Sequence, residues 1–313
     1  MKPSFQRRTL LLASALGAGT TLLQACGGGS DDEPERNIVQ KAQANPELSI
    51  LVEAVVAAGL ADTLSTGSLT VFAPTNAAFV ALLAELGVSK SELLANKPLL
   101  IAVLSYHVLS QRVPLADVPL GKPITPLSGG FFKIESSNGL KVTDGRNRVT
   151  RIIETNLFAS NGVIHLVDRV LLPADKDIVA TAQSLPDFSI LVEAVVAAGL
   201  VTTLQGPGPF TVFAPTNAAF AALLAELGVS KAALLANTAL LTQVLTYHVV
   251  PALVLKAQVP VGTPIKTVQG GTFTVNANLQ IIDQRGRTSQ IMATDVLTRN
   301  GVIHVVDRVL LPA

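Results

Sequence analysis

Thr70–Phe79 reads TVFAPTNAAF, and the same ten letters return at Thr211–Phe220. Each half of this stretch carries its own instruction. Leu69 to Ala73 is a short apolar, β-branched run that Pro74 stops, as proline stops a strand by removing a donor. Thr75 is then placed to cap a helix over Asn76–Leu86, and Gly87 to end it. The repetition extends outward on both sides. Ser49–Leu60 (SILVEAVVAAGL) recurs at Ser189–Leu200, Ala81–Lys90 (ALLAELGVSK) at Ala222–Lys231, Tyr106-His107 at Tyr247-His248, and Asn161–His165 (NGVIH) at Asn300–His304. A period near 140 residues is too long for a solenoid unit and long enough for each copy to bury a core of its own.

The local signals predict helices first and strands later within each copy. Ser49–Ala58 has helical apolar spacing and meets Gly59, and Ser89 with Glu92 has the spacing of a capping box. Beyond Val108 the texture changes to short β-branched stretches: Phe131–Glu135, Leu140–Thr143, Val149–Glu154 and Val163–Leu172. Ser137-Asn138-Gly139 reads as a hairpin turn. The expected class is α+β, with helices segregated against antiparallel strands. Residues 36–174 and 175–313 form the two domains, and the near absence of a linker predicts that they touch.

The amino terminus reads as an export signal over residues 1–25. Lys2, Arg7 and Arg8 precede an apolar run of about 15 residues, short of the ~20 that span a bilayer. Arg7-Arg8 also has the look of a twin-arginine signal. Leu23-Gln24-Ala25-Cys26 reads as a lipobox, so Cys26 is the expected lipid attachment site of an outer-membrane lipoprotein. Residues 26–35 (CGGGSDDEPE) form its flexible spacer. Cys26 is the sole cysteine, which excludes an intrachain disulfide.

Composition narrows the function. Charged residues make up 14% and apolar residues 49% of the 313, which excludes a disordered chain. Without a basic block there is nothing to hold a phosphate backbone, so no nucleic-acid partner is expected. No nucleophile elbow or phosphate-cradling loop is present, and no cofactor site can be read. All four histidines (His107, His165, His248, His304) fall in the repeats at no metal-ligand spacing, so structural roles are expected and no metal site. Asp168-Arg169 and Asp307-Arg308 read as local ion pairs or turn anchors.

Thr70–Phe79, Tyr106-His107 and Asn161–Pro173 (NGVIHLVDRVLLP), with their second-copy counterparts, resemble the signature stretches of fasciclin domains in order and separation. The resemblance covers nearly all of residues 36–313. It implies, in each domain, a seven-stranded β-sandwich or wedge with flanking helices. It also implies a non-enzymatic role at the cell surface, in adhesion or matrix organisation, through a protein or extracellular polymer partner. In animal members the Tyr-His pair is associated with receptor binding, which makes Tyr106, His107, Tyr247 and His248 the candidate partner-binding residues. An extended backbone at each pair predicts the histidine inside and the tyrosine partly exposed. Pro114–Arg151 and Pro251–Ser289, which differ most between the copies, are the alternative seat of specificity. A small-ligand receptor with a pocket at the domain interface is the competing function.

Overall fold

The computed structural model describes residues 35–313, of which Arg36–Ala313 form one compact unit. The expected export signal and Cys26 lie outside the described residues. Domain one runs through α1 (Ile38–Gln43), α2 (Ser49–Ala58), α3 (Ala61–Ser65), β1 (Leu69–Pro74), α4 (Asn76–Leu86), α5 (Lys90–Ala95) and α6 (Lys97–Tyr106). It continues through β2 (Val108–Leu109), β3 (Pro123–Ile124), β4 (Phe132–Glu135), β5 (Lys141–Thr143), β6 (Val149–Ala159) and β7 (Gly162–Val167). Domain two repeats the order: α7 (Ile178–Gln183), α8 (Ser189–Ala197), α9 (Val201–Leu204), β8 (Phe210–Pro215), α10 (Asn217–Leu227), α11 (Lys231–Ala236) and α12 (Thr238–Tyr247). Its strands are β9 (Val249–Val250), β10 (Ile265–Lys266), β11 (Thr272–Val275), β12 (Gln280–Ile282), β13 (Thr288–Thr298) and β14 (Gly301–Val306).

Short polar side chains start these helices. Thr75 accepts from Ala78 N–H, and Ser89 and Glu92 form the expected reciprocal box. Asn76 works outside its own helix: its Oδ1 accepts from Ile50 N–H at 2.9 Å, and its Nδ2 donates to Pro46 O and Ser49 Oγ. The repeated stretch therefore starts α4 and fastens α2 beside it.

Each domain holds one seven-stranded sheet, in the order β2-β1-β7-β6-β5-β4-β3 and its repeat. The expectation of purely antiparallel strands is corrected here, because β1 and β7 run parallel, with Thr70 opposite Val163. A parallel pair needs a crossover, and the α4–α6 block together with the meander supplies it. Gly162 stands where β7 begins against β1. A Cβ there would lie 2.0 Å from Leu69 O, and one on Gly301 2.0 Å from Phe210 O. Only glycine lets the two backbones approach so closely.

The sheet has a core on each side. Helices α1–α6 pack over one face through Leu51, Ala54, Phe79, Leu82, Leu100 and Leu104. On the other, β3–β5 curl over so that Phe72, Phe132, Ile134, Val142 and Leu171 meet. The curl is made by β6, whose pairing with β7 shifts register twice, between Ile152 and Glu154 and between Glu154 and Leu157. Such bulges bend a strand and strengthen its twist. Asn156 sits in the second shift at φ 59°, and its counterpart Asp295 at φ 61°.

The domains touch through this bulge. Lys133 Nζ of domain one is 2.8 Å from Asp295 Oδ2 of domain two and 2.9 Å from Glu135 Oε1. Asn147 clamps the backbone of Leu297, accepting from its N–H and donating to its O at 3.0 Å. Phe131 packs against Leu253, Leu255 and Leu297.

Candidate functional site

The Tyr-His pairs close the last turn of α6 and α12. Tyr106 is the final helical residue and His107 the C-cap, at φ −90° and ψ −2°. The chain has therefore not yet become extended, and the alternation rule fails at this point. Tyr106 is 1% exposed and Tyr247 not at all, which corrects the expected partly exposed tyrosine. Both faces of the sheet are covered, so each member of the pair finds a core. The tyrosine enters the curled side, where Tyr106 Oη donates to Phe131 O at 2.7 Å and its ring meets Phe132 edge-on. Tyr247 Oη donates to Thr272 O at the same distance.

The histidine lies inside as expected. His107 Nδ1 donates to Val103 O at 2.7 Å, and its Nε2 accepts from Leu171 N–H at 2.8 Å. His248 repeats this with Val244 O and Leu310 N–H. Each ring ties the helix layer to the segment that follows the last strand. Burial lowers both pKa values to about 4, because a charged imidazole loses its hydration there. With one nitrogen donating and the other accepting, each ring is neutral with its tautomer set. The flanking Val103, Leu104, Val108 and Leu109 are buried too. All four residues of the expected site are thus buried.

His165 and His304 are likewise committed. His165 Nε2 donates to Val113 O at 3.1 Å, and Nδ1 faces Asn156 N–H. His304 Nε2 donates to Val254 O, and its Nδ1 accepts from Asp295 N–H at 3.2 Å. That acceptor role makes the nearby Asp295 carboxylate a neighbour and not an ion-pair partner. Among the described residues, no group of three or more His, Cys, Asp or Glu converges to hold a metal. Asp168 pairs with Arg151 across the sheet at 2.7 Å, not with Arg169, and holds the backbone N–H of Arg151 as well.

What the tyrosines position, through Phe131 O and Thr272 O, is the meander between β2 and β6 and its repeat, the segment that differs between copies. Exposed apolar side chains gather on it: Leu120, Leu127 and Val149 in domain one, and Val261, Val268 and Ile282 in domain two, each 39–54% exposed. Between the domains lies an open cleft of about 520 Å³, with Arg146, Arg148, Lys176, Thr181 and Ser184 on its walls beside Leu185, Val296 and Leu297. Each domain also has an apolar slot of about 30 Å³ between its first two helices and its sheet. Sequence reasoning missed Lys133, Asn147 and Asp295. The available signal was that the copies differ there, with Thr274, Gly286 and Asn156 at the matching positions.

Comparison with known proteins places these features. A family model described as "Fasciclin domain" matches residues 46–173 and 186–312. Transforming growth factor-beta-induced protein ig-h3 of Sus scrofa is 30% identical over 249 residues, covering 79% of this chain and 35% of that protein. Periostin of Homo sapiens is 30% identical over 250 residues, covering 79% and 28%. The chain thus spans about a third of the length of these animal relatives. Protein sll1483 of Synechocystis sp. is 44% identical over 138 residues, 43% of this chain and 73% of that one. A solved FAS1 domain pair from the insect cell adhesion molecule fasciclin I aligns over 86% of this chain at 18% identity and a TM-score of 0.43.

Proposed function

Since the chain belongs to the fasciclin-domain family, we propose that it is a non-enzymatic adhesion or matrix-organising protein at the cell surface, binding a protein or extracellular polymer. A lipid on Cys26 holds it to the outer membrane in this reading. No helix among the described residues is long and apolar enough to cross a membrane, so attachment through a lipid is compatible with the described part of the chain. The observation that carries the reading is the exposed apolar surface of the segments that differ between the copies, which present Leu120, Leu127, Val149, Val261, Val268 and Ile282. Apolar side chains grouped on an exposed surface favour contact with a macromolecule.

Tyr106 and Tyr247 take part in this proposal from inside by holding the meanders, and His107 and His248 by tying the helix layer to the segment after the last strand. The small-ligand alternative calls for a closed apolar pocket with a few polar groups. The interdomain cleft is open and the apolar slots are water-sized, which favours the adhesive reading. The experiment is attachment of cells to matrix or to one another, with serine at Leu120, Leu127 and Val149 in one variant and at Val261, Val268 and Ile282 in another. Attachment is expected to fall in at least one while stability stays within about 1 kcal/mol of the parent, as for surface changes. Unchanged attachment in both overturns the assignment to the meanders.

A further inference from the structure

The contact between the domains is one-sided, and the repeat supplies its own control. Domain two contributes a head: the β13 bulge with Asp295 and Leu297, flanked by Leu253 and Leu255. Domain one contributes a tail: Phe131, Lys133, Asn147 and the turn at Gly121, where an added Cβ would stand 2.8 Å from Ala257. Matching hydrogen bonds align the copies. Leu115 N–H donates to Asn156 Oδ1 as Lys256 N–H donates to Asp295 Oδ1. Domain one therefore carries its own head, made of Arg112, Pro114, Asn156 and Phe158, and among the described residues no second tail is seated on it. Phe158 is 45% exposed where Leu297 is 2% exposed, and the Arg112 guanidinium lies 5.1 Å above its ring. The matching tail on domain two is also open, with no atom of the described residues within 4 Å of a Cβ added at Gly262 or Gly286.

The substitutions at these free halves are matched. The buried pair inside the chain is Asp295 with Lys133, whereas the free head has Asn156 and the free tail Thr274. A charged half facing a neutral one would bury a charge without a partner, which strongly disfavours the wrong pairing. Neutral Asn156 facing neutral Thr274 carries no such penalty. We propose that a second copy of this chain docks the tail of its domain two on the head of domain one, repeating between chains the contact each chain makes within itself. Because such a contact joins two different surfaces, it does not close on itself and builds open rows. Gly286 supplies no amide clamp in place of Asn147, so the contact between chains is the weaker one and favours crowded surfaces. This inference goes beyond the adhesive reading and does not depend on it.

Sedimentation of the full-length chain in detergent, with reductant to keep Cys26 from coupling chains, reads the association. The wild-type weight-average mass should rise with concentration. Asn156→Asp keeps the acceptor for Leu115 N–H yet places a carboxylate against Thr274, and should weaken association about tenfold or more. Thr274→Lys alone should do the same. An equimolar mixture of the two variants should regain association, since carboxylate and ammonium then meet between chains as they do within one. Thermal unfolding confirms that each variant is folded. A monomeric wild type whose variant mixture is also monomeric overturns the proposal, as does association that neither substitution changes.

Discussion

At the scale of single residues, burial decides more than sequence position. His107 and His248 are neutral in the fold with pKa values near 4, against about 6.5 when unfolded. Between those values the unfolded chain binds protons that the folded chain does not, so stability is full above about pH 6.5 and falls as pH drops toward 4. Each of the two contributes a slope approaching 1.4 kcal/mol per pH unit. Urea midpoints at neutral and mildly acidic pH should show the loss, and His107→Ala should flatten it. That variant should also lower stability at neutral pH by about 1–3 kcal/mol, because Leu171 N–H and Val103 O lose their partner. Tyr106→Phe removes the bond to Phe131 O and the one from the Gly145 N–H and should cost about 1–2 kcal/mol by the same measurement. The histidine's place inside was legible from its neutrality. The tyrosine's was not, because one residue of extra helix and a second core beneath the sheet are both invisible in a list of letters.

Whole elements were the most legible, because caps are local chemistry. Thr75, Ser89, Gly59 and Gly87 bound their helices where sequence put them. Val149–Glu154 was read short, since β6 runs on to Ala159 through two bulges that no period-two pattern reveals. The parallel partner of β1 was also hidden, because alternation tells which way side chains face and not which strand lies alongside. Two predictions belong here. Gly162→Ala and Gly301→Ala should each destabilise by several kcal/mol, toward the upper end for single substitutions, and be seen as insoluble or low-melting protein. Asn76→Ala should lower the melting point by unfastening α2, at about 1–2 kcal/mol as for a lost cap. Asn217→Ala should do so in domain two, where the same bonds recur.

For the whole molecule, the Lys133–Asp295 pair couples the domains. Lys133→Met would strand Asp295, 2% exposed at its side chain, and should cost about 3–5 kcal/mol as broken buried pairs do. Lys133→Thr combined with Asp295→Asn, the residues each copy carries at the other's position, should recover most of that in calorimetry. Fragments 36–174 and 175–313 should each unfold cooperatively, the second at a lower temperature than in the full chain because Leu255 and Leu297 lose their cover. The lipid proposal is separable from all of these: Cys26→Ser should release the protein from membranes or leave it uncleaved, and normal processing with retention on the membrane would contradict it. The parallel pairing of β1 with β7 has a last consequence, for folding in time. Leu69 cannot meet Gly162, nor Phe210 meet Gly301, until nearly the whole domain has left the ribosome. Contacts so distant along the chain make folding slow. Each domain must therefore wait with one edge of its first strand unpaired, and it closes only when its final strand arrives.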